Sequence, residues 1–307
     1  MHLRFAAALI FTALLSSAPA LAEECPGNPD AIGTARTIEV DPFKLKRIGL
    51  MDYAETVPLE RGEVILTFDD GPYPPMTISV LDTLKAECVK ATFFLIGRNV
   101  RRDPELVRRE VREGHTIANH SQNHYVRFKH LSYARGLYEI EETERTITAA
   151  LNGEGKLAPF FRFPGLSRNE NFERYLEGRG IIAMSADFMA GDWIRRLKPE
   201  QVLERALTRL EAKGSGILLL HDVHPRSALM LPQLLRELKA RGYRIVHMVP
   251  AADLTPPATP VAEQPSFLPG RRVAKVTRRK FRTHVAHRTR TPNGTWPRTL
   301  YEQHRMP

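Results

Sequence analysis

Val64-Ile65-Leu66-Thr67-Phe68 is a short, nearly continuous apolar run, and it stops at Asp69-Asp70-Gly71-Pro72. It reads as a buried strand that delivers two carboxylates to a turn. The run does not alternate, as expected of a strand in a parallel sheet covered by helices. Adjacent residues on a strand point to opposite sides, so the two carboxylates can take different tasks: one on a metal, the other as a base. Taken alone, an Asp-Asp-Gly-Pro stretch is more often only a turn.

The same pattern recurs downstream. Apolar strands are predicted at residues 91–96, 115–119, 160–163, 181–185, 216–220 and 244–249. Between them, helical spacing is predicted at 77–87, 104–113, 133–151, 171–178, around 203–210 and around 231–238. Seven strands separated by helices indicate an α/β protein with a mainly parallel sheet. The count suggests a closed barrel, and in a barrel the loops after the strands hold the site.

The polar residues cluster at those strand ends. His120-Ser121-Gln122-Asn123-His124 places two histidines four apart, and on one helical turn that spacing aims both imidazoles at a common point. A carboxylate and two imidazoles leave positions open for water and substrate. Arg162 ends the fourth strand, where it can orient a carboxylate. Asp187, Asp192 and Trp193 follow the fifth, and a carboxylate there can fix the tautomer of an imidazole. His221 closes the sixth strand, after Leu219 and Leu220, where it can deliver a proton near neutral pH. Each signal has a bland reading, but their joint placement at the ends of the first, third, fourth, fifth and sixth strands is hard to obtain by chance. For His115 and His224 the bland reading is preferred.

With these motifs in order, the chain resembles the NodB-type polysaccharide deacetylases, carbohydrate esterase family four, over about residues 60–250. Thr67-Phe68-Asp69-Asp70-Gly71-Pro72, His120 to His124, Arg162-Phe163-Pro164, Asp187…Asp192-Trp193 and Leu219-Leu220-His221 match its five motifs. The resemblance implies a distorted (β/α) barrel of about seven parallel strands. It implies metal-dependent removal of N-acetyl groups from a GlcNAc-containing glycan of chitooligosaccharide or peptidoglycan type, releasing acetate. Asp70, His120 and His124 would hold a divalent metal, commonly zinc, with cobalt or manganese as alternatives. Asp69 would be the general base, His221 the general acid, Arg162 the residue that positions Asp69, and Asp187 the residue that tunes His221. Trp193 and Leu219 would line the pocket for the acetyl methyl group. Two departures stand out. Gly165 follows Pro164 directly, so the family's usual aromatic residue is missing there. Four residues separate Asp187 from Asp192, which leaves open which carboxylate supports His221. An O-acetyl esterase of acetylated xylan, a metal-independent amidase and a non-catalytic envelope glycan-binding protein are the competing readings.

The chain has 307 residues, 45 Lys+Arg against 35 Asp+Glu, a net charge of +10 and two cysteines. This composition excludes wholesale disorder, a polytopic membrane protein and a disulfide-dense scaffold. Most of the charge lies in one place. Residues 251–307 hold eleven basic and three acidic residues, whereas 23–250 hold 33 and 32. The expected organisation is a signal peptide at 1–22, an N-terminal extension at 23–59, the catalytic domain at 60–250, a Pro-rich linker at 251–270 and a disordered basic tail at 271–307. Arg4, the apolar stretch from Phe5 to Leu15 and Ala20-Leu21-Ala22 carry the export reading. Export makes a Cys25–Cys88 disulfide chemically feasible, and the sequence leaves the pairing open. The tail is expected on an anionic envelope polymer or lipid surface, with no nucleic acid partner and no membrane span after signal cleavage.

Overall fold

The computed structural model describes residues 25–252. The signal-peptide reading of 1–22 and the linker and tail readings beyond residue 252 lie outside the described residues. The elements run β1 (Thr34–Val40), β2 (Arg47–Ile48), β3 (Glu63–Asp69), α1 (Met76–Ala86), β4 (Thr92–Leu95), α2 (Gly97–Val100), α3 (Pro104–Arg112), β5 (Thr116–Asn119), α4 (Tyr133–Leu151), β6 (Leu157–Phe161), α5 (Glu170–Gly178), β7 (Ile182–Met184), β8 (Phe188–Met189), α6 (Pro199–Lys213), β9 (Gly216–His221), α7 (Pro225–Ala240) and β10 (Arg244–Pro250). The helix ends follow local rules: Ser132 caps α4 by accepting from the Arg135 N–H, and α6 stops at Gly214, whose φ of 83° suits a residue without Cβ.

Every strand pairing is parallel, and β3 organises the sheet. It pairs with β9 from Val64↔Gly216 to Asp69↔His221. Its C-terminal half pairs with β4, and its N-terminal end meets β10. From β4 the order continues through β5, β6, β7 and β2, while β8 lies against the far side of β9. Strands β3 to β9 therefore come round in chain order and return to β3. Among the described residues β7 and β8 do not pair, so the ring is a distorted barrel with a seam.

Strand parity decides what faces inward. Val64, Leu66 and Phe68 of β3 pack in one cluster with Leu81 of α1 and Leu231 of α7. Ile65 belongs to a second cluster with Phe94, Ala118, Phe160, Ile217 and Leu219, which fills the ring. Inward positions are thus 65, 67 and 69 on β3, even numbers on β4 to β6, and 217, 219 and 221 on β9. Asp69, His120, Arg162 and His221 all fall on this inward register at or just beyond strand ends.

All seven expected strands are present. Three more were not foreseen, and two of them lie in the segment expected to be an extension. β1 pairs with β10 from Thr34↔Ile245 to Val40↔Pro250, and β2 pairs with β7. A Cys25–Cys88 disulfide ties this segment to the end of α1, which settles the pairing the sequence left open. At the opposite mouth of the barrel from the site, Thr116 Oγ1 donates to the Met248 carbonyl and lies 2.9 Å from His247 Nε2. Burial depresses the imidazoles there, His115 to about 3 and His247 to about 4.

Candidate active site

The first carboxylate, Asp69, is the last residue of β3 and is held from inside the barrel. Arg162 Nη1 donates to Asp69 Oδ1 at 2.6 Å and to Thr67 Oγ1 at 2.9 Å, and its Nη2 donates to the Ser185 carbonyl at 2.9 Å. The guanidinium is fully buried and lies 4.0 Å from the centroid of the Phe94 ring. Burial alone lowers its pKa, and the Asp69 charge opposes that loss. Arg162 is therefore a fixed cation beneath the site that leaves Asp69 Oδ2 facing His120 Nε2 at 3.7 Å.

Asp70 lies one residue beyond the strand and has a φ of 79°, so it leaves the alternating register and turns toward the histidines. Its backbone is gripped on both sides: its N–H donates to the Phe94 carbonyl, and its carbonyl accepts from Asn99 Nδ2 at 2.7 Å. Asp70 Oδ1 lies 3.1 Å from His124 Nε2 and 3.5 Å from His120 Nε2. Burial works against charge on Asp70, but His120, His124 and His221 outweigh it and hold the carboxyl well below the usual range. Burial, with His120 alongside, depresses His124 to about 4, so it is neutral at pH 7.

These residues fit a divalent metal. The ligand atoms of Asp70, His120 and His124 all lie within 4.8 Å of one another. Asp70 Oδ1 is buried without a hydrogen-bond partner. His120 Nδ1 is 2.8 Å from the Arg162 carbonyl, so it carries the proton and leaves the Nε2 lone pair free to ligate. One ionised carboxylate and two imidazole nitrogens form a donor set that suits zinc and its first-row neighbours.

The histidine pair is not on a helical turn, as its spacing suggested. Residues 120–125 form a loop, and Ser121 and His124 have φ values of 69° and 56°. Glu139 of α4, completely buried, shapes this loop. Its carboxylate accepts from the N–H and the side-chain amide of Asn123, and its carbonyl accepts from the Gln122 N–H. Nothing in the spacing pointed to Glu139, because the contact depends on how α4 packs.

His221 faces Asp69 across the β3–β9 ladder. Its Nδ1 lies 2.8 Å from Asp192 Oδ1, and its N–H donates to Asp192 Oδ2 at 2.7 Å. Ser227 of α7 also donates to Asp192. Burial lowers the His221 pKa, but the fields of Asp192, Asp70 and Asp69 prevail and raise it to about 9. The expectation that Asp187 tunes His221 is corrected here. Asp187 accepts from the Leu50 N–H at 2.7 Å, Thr56 Oγ1 at 3.0 Å and the Ile217 N–H at 2.8 Å. Those three donors commit it to bracing the 49–56 loop on β9. The longer spacing lets β8 pass between the two acids, and the second acid meets the histidine.

Asp222, next to His221, also has a part that the sequence did not assign. It is fully buried, bonded to Thr77 Oγ1, and raised to about 7 mainly by burial. A Cβ on Gly71 would lie 2.3 Å from its carboxylate, so the turn after Asp70 requires glycine.

Asp69, Asp70, His120, His124 and His221 open on one cleft of about 420 Å³. Leu219 is at its floor, Trp193 stands on one wall with its ring edge-on to His221, and Val126 and Leu166 form the other. Leu166 is the wall residue in the altered third motif. It follows Gly165 with both in the left-handed region, φ 53° and 58°.

A family profile described as polysaccharide deacetylase matches residues 56–183. A peptidoglycan-N-acetylglucosamine deacetylase of Bacillus cereus is 37% identical over 193 residues, covering 60% of this chain and 68% of that one. A peptidoglycan-N-acetylglucosamine deacetylase of Listeria monocytogenes is 36% identical over 183 residues, covering 60% of this chain but only 37% of the relative. Among solved structures, a peptidoglycan deacetylase of Bdellovibrio bacteriovorus superposes with a TM-score of 0.62 at 30% identity. That match covers 78% of this chain and 62% of that one.

Proposed function

The chain belongs to the polysaccharide deacetylase family, and from that premise we propose that it hydrolyses N-acetyl groups on a GlcNAc-containing glycan of peptidoglycan type, releasing acetate. The observation that carries this reading is the convergence on one cleft of an Arg162-locked carboxylate, a three-ligand metal cradle and an Asp192-held imidazole. The relatives' action on peptidoglycan supports the substrate class.

A divalent cation held by Asp70, His120 and His124 would polarise the acetyl carbonyl and acidify a water beside it. Asp69 Oδ2 takes the proton from the attacking water, while Oδ1 stays fixed on Arg162. His221, protonated at neutral pH, gives its Nε2 proton to the leaving amine. Asp192 holds the opposite nitrogen and stabilises the charged ring. Leu219 and Trp193 enclose the acetyl methyl. The products are acetate and a free glucosamine amine.

Acetate release from peptidoglycan strands, chitin oligomers and acetylated xylan tests the reading. Release from the two N-acetylated glycans is expected. Release from xylan alone would replace this reading with an O-acetyl esterase, and glycan affinity without any release would indicate a binding protein.

The site of action proposed is outside the cytoplasm. Support comes from the signal-like residues 1–22 and from the Cys25–Cys88 disulfide, which an oxidising compartment favours. The +8 segment 251–307 is proposed to hold the protein on an anionic envelope surface. Deleting residues 254–307 should then release it from envelope preparations at lower salt, and unchanged retention would reject the tether.

A further inference from the structure

The body of the chain is almost neutral in sum, but its charge is not evenly placed. Four stretches surround the cleft: 124–130 and 163–169 on the Leu166 wall, and 193–198 and 224–226 on the Trp193 wall. Together they hold seven Lys and Arg and no Asp or Glu. The two stretches of each wall are joined. Ser167 Oγ accepts from the Lys129 N–H, and Arg226 Nε donates to the Ile194 carbonyl.

Pairing sharpens the contrast. On the outer helices, arginines are matched with acids: Arg109 with Asp82 and Glu113, Arg112 with Glu105 and Glu154. In the stretches that carry the lining residues Val126 and Trp193, Arg127, Lys129, Arg195, Arg196 and Lys198 are exposed, and none has a carboxylate within 4.0 Å among the described residues. Of the acids nearby, Asp69 is held by Arg162, Asp70 faces His120 and His124, and Asp192 and Asp222 are completely buried against His221 and Thr77, while Arg168 alone of the seven cations shares its charge, with Asp52 and Glu173. Trp193 and Val126, at 39% and 59% exposure, line the cleft with the catalytic groups and neighbour these cations in sequence.

We propose that the mouth of the cleft is a basic collar that selects a carboxylate-bearing glycan over a neutral one. This rests on the deacetylase reading above and adds a class of substrate to it. An extended glycan whose central unit sits at His221 must pass over both walls. Carboxylates on its neighbouring units, carried by sugar ethers or by attached peptides, would meet unpaired guanidinium groups there. Such rim contacts are made equally before and during reaction, so they act on KM and on encounter rather than on kcat.

The test uses the full chain, so that the basic tail is common to every protein compared. Acetate release is measured on chitin oligomers, on peptide-free muramyl glycan strands and on strands bearing stem peptides. The ratio of kcat/KM for carboxylate-bearing over neutral glycan should fall about tenfold in Arg127→Ser/Arg195→Ser/Arg196→Ser. About 0.3 M NaCl should have the same effect on the wild type. The control Arg61→Ser/Lys213→Ser, away from the mouth, should leave the ratio in place. A ratio untouched by the triple variant, or lowered equally by the control, overturns the collar. The two anionic substrates separate sugar carboxylates from peptide carboxylates as the group recognised. If no glycan releases acetate, the deacetylase reading fails. Equilibrium binding of labelled strands still decides the collar, with about tenfold weaker binding expected in the triple variant and equal binding refuting it.

Discussion

Replacing Asp192 by Asn removes the charge that holds His221 protonated while keeping the side chain's shape. In the wild type the His221 pKa is raised to about 9, chiefly by Asp192 acting against burial. Without that charge, burial is opposed only by the more distant Asp70 and Asp69, and the pKa should return to about 6.5 or below. At pH 7.5 the protonated fraction would then drop from about 97% to about 9%, a loss of about tenfold. The amide can also present the wrong group to Nδ1, which favours the wrong tautomer and adds about another tenfold. The expected outcome is a fall in kcat of about 100-fold at pH 7.5, with the alkaline limb of the profile moving from about pH 9 to about pH 6.5. The assay is acetate release from chitin oligomers between pH 5.5 and 9.5, run in parallel on Asp187→Asn. That second variant loosens the 49–56 loop but should leave the alkaline limb where it is. If Asp187→Asn moves the limb and Asp192→Asn does not, the assignment drawn from the hydrogen bonds is wrong.

Asp69→Asn should retain the metal in elemental analysis yet lose turnover, whereas Asp70→Asn should lose metal at chelator concentrations the wild type survives; equal metal content in the two would contradict their separate tasks. His247 is neutral when folded, with a pKa of about 4 against 6.5 when unfolded, so the unfolded chain gains the proton first as pH falls. Its contribution should be complete above pH 6.5 and shrink toward pH 4 at up to about 1.4 kcal/mol per pH unit. Asp222 and Glu110, whose pKa values burial raises, act in the opposite sense, so the effect is read as the difference from His247→Gln in urea midpoints between pH 7 and 4.5. Identical slopes would reject it. Cys25→Ser/Cys88→Ser opens a loop with a sequence separation of 63 and should cost about 4 kcal/mol in a chain-entropy account, measured by urea unfolding. Unchanged stability would mean that β1 pairing alone holds the N-terminal segment.

Six of the seven ring strands, and β10 beside the ring, were legible because buried parallel strands are short apolar runs with turns after them. β1, β2 and β8 were missed for a common reason. β1 mixes polar and apolar residues at the edge of the sheet, as in Thr34-Ala35-Arg36-Thr37, and β2 and β8 are two residues each, too short for any period to show. The site residues were legible as types at strand ends, but their geometry was not. The four-residue histidine spacing matched a helix, whereas a loop with two left-handed residues realises it. The choice between Asp187 and Asp192 depended on where β8 inserts, which only tertiary structure decides. Glu139, Ser227 and Asp222 act through packing between elements far apart in sequence, and no local pattern marks them. Net charge misled in its own way. A sum near zero over residues 23–250 concealed four stretches beside the cleft whose charged residues are all Lys or Arg.

The central claim is that this cleft removes acetyl groups from a GlcNAc glycan with a metal held by Asp70, His120 and His124. The most direct measurement is mass spectrometry of the products formed from peptidoglycan strands by wild type and Asp69→Asn, with and without chelator. The account predicts loss of one acetyl group per reacting GlcNAc with the wild type, none after chelation, recovery on adding a divalent metal, and none with Asp69→Asn at full metal occupancy. Deacetylation that persists after the metal has been stripped, or in Asp69→Asn, would contradict it.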